Sequence, residues 1–229
     1  MPTIAFASSK GGAGKSTSAV LLACELAVRG TTVTIIDADP NQPVTRWGKK
    51  TGKPEKLTVV SDVTEETLID AIEEAARKTA FVIVDLEGTA SLMVAQAMSR
   101  SDLVIIPTQG SALDATEAIK VIKFIGRQER GYSRTIPFAL LFTKTNPAVR
   151  PRTLKAIEAD MREQGIPIFG TALHDRDAFR AIFSFGGTLY GLDEKLVSGV
   201  PVAARNVQKF VAEVVAMLSP AKAKAEKVA

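Results

Sequence analysis

A glycine-rich loop near the start of the chain constrains the fold more than any other feature. Residues 9–17 read SKGGAGKST, follow a short apolar run and precede an amphipathic helical pattern over residues 18–29. A strand, a glycine loop and a helix in this order are the context of a phosphate-binding loop. Glycine has no Cβ, so backbone N–H groups can approach phosphate oxygens, and the start of the helix presents the positive end of its dipole. The pattern therefore favours a phosphate site over a plain glycine-rich turn.

The loop contains candidate ligands for the phosphates and for a metal ion. Lys15 is predicted to reach the β- and γ-phosphates, and the Ser16 hydroxyl is predicted to bind Mg²⁺. Ser9 stands where the usual G-x-x-x-x-G-K-[ST] pattern has its first glycine, and a second lysine, Lys10, precedes the double glycine. The loop residues predicted to bind the cofactor are Gly11, Gly12, Ala13, Gly14, Lys15, Ser16 and Thr17.

Apolar runs and helical patterns alternate along nearly the whole chain. The predicted strands are Thr3–Ala7, Thr32–Ile36, Leu57–Val60, Phe81–Asp85, Leu103–Pro107, Phe138–Thr143 and Ile166–Phe169. The predicted helices are Ser16–Arg29, Thr64–Lys78, Ser91–Ser99, Leu113–Gln128, Pro151–Gln164, Arg176–Phe183 and Val202–Leu218. Several strands are continuously rich in Val and Ile, which is typical of strands buried on both faces. We therefore predict an α/β fold, a doubly wound and mostly parallel sheet with helices on both faces, whose ligands bind at the carboxyl ends of the strands.

Length and composition favour one domain. The chain has 229 residues, and we expect a single P-loop domain over residues 1–218 and a flexible basic tail over residues 219–229. Trp47–Lys56 is polar and basic and is predicted to be a loop, whereas Cys24 is interpreted as a small core residue. The start does not resemble a secretion signal, and no apolar run approaches membrane-spanning length, so a cytoplasmic location is predicted.

Acidic residues end two of the predicted strands. Asp37 and Asp39 follow the second strand, and Asp85 ends the fourth. Two carboxylates one residue apart repel each other unless Mg²⁺ or N–H donors relieve the repulsion, although an Asp-Pro-Asn turn would also explain this run. An apolar strand that ends in one Asp is typical of a Walker B strand, whose carboxylate holds Mg²⁺ directly or through water. Ser16 and Asp85 are therefore predicted metal ligands, and the pair of Asp37 and Asp39 stays open between a metal site and a turn.

With Lys10 before its double glycine, the loop resembles that of the deviant-Walker ATPases, the family that includes ParA and MinD and whose loop reads K-G-G-x-G-K-[ST]. Residues 37–42, DADPNQ, also resemble the D-x-D-P-Q run of ParA. The resemblance implies ATP and Mg²⁺ as cofactors and an ATP-dependent homodimer in which Lys10 reaches the partner subunit's nucleotide. It also implies that Asp39 orients or activates the attacking water and that Asp37 supports the Mg²⁺ shell, so the predicted catalytic residues are Lys10, Lys15 and Asp39. After the Walker B strand the chain departs from the family, which leaves a role for Glu87 open.

The same resemblance suggests where the base lies. Residues 141–147, LFTKTNP, stand where many members place an Asn-Arg pair near the base, so Thr143 and Lys144 are candidates for adenine contact. His174 has no cysteine or second histidine with which to share a metal ion, and we predict a loop residue near the base pocket.

Charge is unevenly distributed along the chain. Residues 1–114 contain 11 Lys and Arg against 14 Asp and Glu, whereas residues 115–229 contain 18 against 11. Cations four residues apart share a helix face and suit a phosphate backbone, although a solvated helix face is the alternative. In the short ParA proteins that this chain resembles, late basic residues bind nonspecific DNA. The predicted double-stranded DNA contacts are Arg150, Arg152, Arg176, Arg180, Arg205 and Lys209.

Several functions are compatible with the resemblance. The leading prediction is a nucleoid-associated partition ATPase of the short ParA type, stimulated by a ParB-like centromere-binding or relaxase-complex protein. Residues 37–47 and 174–179 also resemble the VirC ATPases that assist conjugal DNA transfer. A MinD-like positioning ATPase is the alternative from another class, but the tail lacks the Leu, Phe or Trp of a membrane anchor, so no membrane partner is predicted. Cys24 alone cannot hold the cluster of a nitrogenase-type reductase, and an ATP-dependent ligase stays open.

Overall fold

The chain folds into alternating strands and helices, and the computed structural model describes residues 1–88 and 91–219. The strands are β1 Thr3–Phe6, β2 Val33–Ala38, β3 Leu57–Val60, β4 Phe81–Leu86, β5 Leu103–Thr108, β6 Phe138–Thr145 and β7 Leu173–His174. The helices are α1 Lys15–Val28, α2 Pro43–Gly48, α3 Leu68–Lys78, α4 Leu92–Ser99, α5 Ala112–Tyr132, α6 Arg152–Glu163, α7 Asp177–Phe185 and α8 Val200–Leu218. A 3₁₀ turn, Leu189–Gly191, precedes α8.

All strand pairings in the described residues are parallel, and the strand order is β3-β2-β4-β1-β5-β6-β7. This confirms the predicted doubly wound α/β sheet. The strand β1 lies at the centre, between β4 and β5, so the glycine loop leaves the sheet in its middle. In the register of β2 and β4, Asp37 lies opposite Asp85. Two of the predicted acidic residues therefore meet at the carboxyl edge, Asp85 on the strand next to β1 and Asp37 one strand further from the loop.

Helices cover both faces of the sheet. On one face α1, α2, α7 and α8 bury residues such as Leu22, Trp47 and Phe210, and on the other α3, α4, α5 and α6 bury residues such as Leu68 and Met98. Each fully buried side chain of this size contributes about 1.5–3 kcal/mol relative to an exposed one. The two cores hold the sheet rigid between them and leave the carboxyl edge as the place where loops can form a site.

The last predicted strand is wrong in its position. The structure has no strand at Ile166–Phe169, where only an isolated bridge joins Ile168 to Leu140, and the edge strand is instead β7 at Leu173–His174. The backbone at Leu140 bonds to the Pro167 carbonyl and to the Phe169 N–H, but Pro167 has no N–H with which to extend a ladder. His174 accordingly lies on a strand and not in the predicted loop.

The predicted loop Trp47–Lys56 also needs correction. Trp47 belongs to the short helix α2, is 1 % exposed, and donates from its indole N–H to the Gly187 carbonyl at 3.0 Å. A six-residue helix that begins with proline is too short to produce a helical period in the sequence. Of the predicted tail 219–229, residues 220–229 lie outside the described part. No helix in the described ranges is long and apolar enough to cross a bilayer.

Candidate functional site

The glycine loop turns between β1 and α1 with two residues in the left-handed backbone region. Gly12 has φ +77° and Gly14 has φ +95°, a conformation that side chains rarely adopt. A Cβ at Gly14 would also lie 3.4 Å from the Thr143 side chain. Gly14 immediately precedes α1, and no side chain caps that helix end in the described structure. The loop thus depends on glycine for its shape and directs the start of α1 toward the carboxyl edge.

Lys15 is the central cation of this edge. It is 6 % exposed, and burial lowers the pKa of its ammonium, while the charges of Asp85, Asp39 and Glu87 raise it. Lys15, Ser16, Thr17 and Asp39 line one open cavity of about 400 Å³ that we call the loop cavity. The loop cavity is also lined by Gly11, Gly12, Gly14, Glu87, Gly88 and Lys144. The loop cavity is therefore lined by most of the predicted phosphate-loop residues and by Asp39, which follows β2.

Asp85 is a buried carboxyl without a protein partner. It is fully buried, and neither of its oxygens accepts a hydrogen bond from any of residues 1–88 and 91–219. Burial raises its pKa to about 7; the Ser16 hydroxyl, which is nearby but outside hydrogen-bond geometry, and the charge of Lys15 lower that pKa, while the charges of Asp37 and Asp39 raise it. A buried carboxylate is costly unless a cation or several donors accompany it. The chemistry at Asp85 fits a divalent cation, because hard cations take carboxylate and hydroxyl oxygens as ligands.

Asp37 and Asp39 differ in their surroundings. Asp37 is buried and accepts the Thr45 N–H at 2.7 Å, so it holds the first turn of α2 in place. Burial raises the pKa of Asp37, and the hydrogen bonds from Thr45 oppose this. Asp39 is half-buried and accepts both the N–H and the side-chain amide of Asn41, at 2.8 and 3.0 Å. Asp39 is thus the member of the pair that faces the loop cavity. Among the described residues, no three His, Cys, Asp or Glu side chains are grouped to hold a metal by themselves.

Lys10 contacts a residue that the sequence did not indicate. Its ammonium lies 2.8 Å from Asp114 Oδ1, and the Ser111 hydroxyl donates to Asp114 Oδ2 at 2.5 Å. Burial raises the pKa of Asp114, but the hydrogen bonds from Lys10 and Ser111 and the charge of Lys10 outweigh it, so that pKa is lowered overall. Half of the Lys10 side chain stays exposed, at 47 %. The lysine is therefore held beside α5 but remains accessible.

The predicted base contacts, Thr143 and Lys144, form hydrogen bonds with carbonyl groups of the glycine loop. The Thr143 hydroxyl donates to the Ala13 carbonyl at 2.7 Å, and the Lys144 ammonium donates to the Gly12 carbonyl at 2.7 Å. Thr143 and Lys144 also line a second space of about 420 Å³, the side cavity, together with Gly14 and Ser18. His174 lines the same space and pairs through Nδ1 with the Thr145 hydroxyl, while burial lowers its pKa.

Four of the six predicted DNA contacts line two cavities that share His174. Arg176 and Arg180 line the side cavity next to Thr143, and Arg180 pairs with Asp175 and Asp177. Arg150 and Lys209 line a separate cavity of about 310 Å³ on the far side of His174, and Arg150 pairs with Glu158. Arg150 precedes α6 and does not lie on it. Of the six predicted contacts, the exposed ones that form no ion pair with any described residue are Arg152, Arg205 and Lys209.

Comparisons with known proteins support both the family indicated by the glycine loop and the fold of the sheet. The family model described as "VirC1 protein" matches residues 1–225. A protein named ParA from Rhizobium radiobacter is 41% identical over 221 residues, which cover 96% of this chain and 99% of that protein. The solved ATP complex of a Cyanothece McdA variant has a TM-score of 0.76 at 16% identity, over 94% of this chain and 96% of that one. A ParA family ATPase from Chlorobium tepidum has a TM-score of 0.69 at 16% identity, over 92% and 97%. The resemblance predicted from the glycine loop is confirmed, and the chain belongs to the VirC1 family among the ParA- and MinD-type P-loop ATPases.

Proposed function

We propose that the protein is an ATP-dependent switch that dimerises, binds double-stranded DNA without sequence preference and drives plasmid or chromosome partition. Hydrolysis of ATP, stimulated by a ParB-like centromere-binding protein or a relaxase-complex protein, would separate the subunits. The proposal places the protein in the cytoplasm on nucleoid DNA and not on a membrane.

The observation that carries the proposal is the presence of two buried charged groups, Lys15 and Asp85, beside the loop cavity. Lys15 is buried among carboxylates, and Asp85 is buried without a hydrogen-bond donor among the described residues. A triphosphate accompanied by a divalent cation would supply both missing partners, since the phosphates would accept from Lys15 and the cation would face Asp85. An ATP complex is known for the similar McdA variant, which supports the same ligand here.

Each residue in and beside the cavity would have a separate task. Ser16 and Asp85 would hold Mg²⁺, which, when bound with the nucleotide, draws charge from the phosphate oxygens. Lys15 would pair with the β- and γ-phosphates, and the backbone N–H groups at Gly12 and Gly14 would face the same anion. Asp39, already oriented by Asn41, would accept a hydrogen bond from the attacking water.

Dimerisation would depend on Lys10. The lysine is half exposed and is held by one ion pair with Asp114, so it can exchange that carboxylate for the phosphates of the partner subunit's nucleotide. A lysine supplied in trans stabilises a transferring phosphoryl group as an arginine finger does. Light scattering with a nonhydrolysable ATP analogue tests this. We expect a dimer for the wild type and for Lys155→Ala, an exposed α6 control, and a monomer that still binds the nucleotide for Lys10→Ala. A dimeric Lys10→Ala protein would exclude the proposed role.

Conjugal DNA transfer of the VirC type is the second candidate, because the family model matches residues 1–225. The two candidates share the ATP site and differ in the partner. Stimulation of hydrolysis by a centromere-binding protein on its DNA site would support partition. Stimulation by a relaxase complex at a transfer origin would support transfer.

The experiment that tests the ATP-dependent switch shared by both candidate functions compares ADP with the nonhydrolysable ATP analogue. Molecular mass and retention on nonspecific DNA are measured side by side, at two salt concentrations. We expect dimerisation and salt-sensitive DNA retention with the ATP analogue only. Retention that is equal with both nucleotides, or absent with both, would contradict the proposed switch.

A further inference from the structure

A groove between α4 and α5 lies beside the loop cavity and takes no part in the chemistry proposed above. Its volume is about 320 Å³. The floor is apolar, with Val94 and Met98 from α4 and Val121 and Phe124 from α5. Three of these side chains belong to the core and Phe124 is half-buried, so the groove opens directly onto the hydrophobic interior of this face. We call it the α4–α5 groove.

Cations line one side of the α4–α5 groove. Lys120, Lys123 and Arg127 are spaced i, i+3 and i+7 on α5, so they share one face of the helix. Lys123 and Arg127 are exposed and form no ion pair with any described residue. The Arg127 guanidinium lies 5.5 Å from the centre of the Phe124 ring. An apolar floor beside unpaired cations is complementary to a segment that carries a large apolar side chain flanked by carboxylates.

We propose that the α4–α5 groove is the docking site for an acidic segment of the partner protein that stimulates hydrolysis. An apolar side chain of that segment fills the groove, and its carboxylates pair with Lys123 and Arg127. This inference rests on the proposed function, because it names the surface through which the partner acts.

A chain of polar contacts joins the groove to the glycine loop. The Lys120 ammonium lies 2.6 Å from one carboxylate oxygen of Glu117, and the Ser9 hydroxyl donates to the other at 2.7 Å. The same Ser9 hydroxyl lies 2.9 Å from the Glu117 carbonyl oxygen, so its single proton is shared between two acceptors, and the next residue along the chain is Lys10. A carboxylate that competes for Lys120 would therefore remove the cation from Glu117, the residue to which Ser9 donates. Glu87, which lines both the groove and the loop cavity, provides a second route to the site.

Other occupants suit the groove less well. A nucleic-acid backbone gains affinity from the cations but nothing from the apolar floor. The chain's own residues 220–229 read PAKAKAEKVA, and their three lysines against one glutamate would be repelled by the cationic rim. The helix α8, which leads into that segment, also packs on the opposite face of the sheet.

A binding experiment with full-length protein tests the docking site. The probe is a fluorescein-labelled amphipathic peptide with Leu on one helical face and Glu elsewhere, and its control has Lys in place of Glu. The variant is Lys123→Glu/Arg127→Glu, and the matched control is Arg77→Glu/Lys195→Glu, an Arg and a Lys that are likewise exposed and unpaired within the described ranges. Fluorescence anisotropy is measured at physiological ionic strength. We expect the groove variant to bind the acidic peptide about tenfold more weakly or worse, and the control variant to bind as the wild type does.

A second substitution tests the apolar floor. Phe124→Ala should weaken peptide binding, whereas Phe124→Leu, which keeps apolar volume, should retain it; circular dichroism and a thermal melt check that both fold. Equal binding by the wild type and the charge-reversed variant, or binding of the lysine peptide, would overturn the proposal. Loss of DNA retention in that variant would assign the groove to nucleic acid, and loss of self-association would assign it to a second copy, and either result overturns it.

The docking site and the switch can fail separately. Nucleotide binding and dimerisation of the wild type are measured in the same preparation. If the peptide shows the expected pattern while ATP has no effect on mass, the proposed switch is wrong and the docking site stands. If ATP drives dimerisation while the peptide fails to bind, the docking site is wrong and the switch stands.

Discussion

The loop cavity and the basic outer surface hold charge in opposite ways. Lys15 is buried at the wall of the loop cavity and Asp85 is buried near Lys15, and the oxygens of Asp85 have no hydrogen-bond donor within residues 1–88 and 91–219. On the outer surface Arg150 and Arg180 are exposed, and each pairs with carboxylates of the chain itself. The first region buries charged groups that lack partners within the described part of the chain, and the second exposes cations, of which some are paired with the chain's own carboxylates.

This difference separates two kinds of binding. Burying an ion without full pairing costs several kcal/mol, so a ligand that completes the loop cavity recovers a large free energy. An exposed ion pair contributes roughly 0–1 kcal/mol and is screened by salt, so cations on the outer surface can exchange a carboxylate for a phosphate at little cost. We therefore expect large effects from substitutions at the loop cavity and small, salt-dependent effects from those on the outer surface.

The largest effect is expected for Lys15→Ala. The ammonium is nearly buried and faces the proposed phosphates, so its removal should weaken ATP binding by about a hundredfold or more. Isothermal titration calorimetry with a nonhydrolysable analogue measures this, with the exposed Lys155→Ala as control. Unchanged affinity in Lys15→Ala would remove this residue from the site and break the contrast between the two regions.

Asp85→Asn tests the cost of the unpaired carboxylate directly. Burial raises the folded-state pKa of Asp85 to about 7, above its ordinary value, so the folded chain holds this proton more tightly than the unfolded chain. The free energy of unfolding without nucleotide should therefore fall as pH rises from about 4 to 7, and the ionised carboxylate then destabilises the fold by up to about 4 kcal/mol.

In Asp85→Asn most of that decline should disappear, and the variant should be more stable than the wild type at pH 8. The part of the decline that comes from Asp37, whose pKa is also raised, should remain. Urea denaturation at several pH values measures this, with the exposed Asp70→Asn as control. A variant whose stability keeps the wild-type pH dependence would show that Asp85 is not the costly group.

Much of the fold follows from local patterns, and the exceptions have physical reasons. Continuous apolar runs such as residues 81–84 are mostly buried in the sheet, so their position in a parallel sheet is predictable from the sequence. The helix α2 is too short for a period to emerge, and β7 has only two residues, so neither produces a signal of its own. The partner of Lys10 could not be predicted, because Asp114 is 104 residues away and only the folded sheet brings them together.

Asp39→Ala is expected to have the next largest effect, on turnover and not on binding. Loss of a group that orients or deprotonates the attacking water should lower the hydrolysis rate about a hundredfold and leave an ATP-bound dimer. Asn41→Ala, which removes one of the two donors that orient Asp39, should give a smaller loss. Phosphate release in single-turnover conditions measures both variants.

Glu87 decides between two versions of this mechanism, because it lines the same cavity as Asp39. If Glu87→Gln lowers turnover more than Asp39→Ala does, the water-orienting role belongs to Glu87. If Glu87→Gln leaves turnover near the wild-type rate, Asp39 keeps the role. The sequence could not separate these two carboxylates, because the run after β4 departs from the family pattern.

The smallest effect is expected for substitutions of cations on the outer surface. There the loss of DNA retention should depend on whether the substituted cation forms an ion pair with a carboxylate of the chain. Arg205 is exposed and forms no ion pair among the described residues, so Arg205→Glu should weaken DNA retention by about threefold to tenfold and reduce its salt dependence. Arg180 is already neutralised by Asp175 and Asp177, so Arg180→Glu should weaken retention less. Retention on immobilised nonspecific DNA measures both variants, and ATP affinity is measured alongside.

If Arg180→Glu costs more DNA retention than Arg205→Glu, pairing in the structure does not predict which cations are available, and the contrast between the regions fails for this surface. Arg180 also lines the side cavity with Thr143, next to the proposed base site. A loss of ATP affinity in Arg180→Glu, with DNA retention of the ATP-bound form unchanged, would move this arginine from the DNA surface to the nucleotide site. Arg205 does not line that cavity, so Arg205→Glu should leave ATP affinity at the wild-type value and provides the matched comparison.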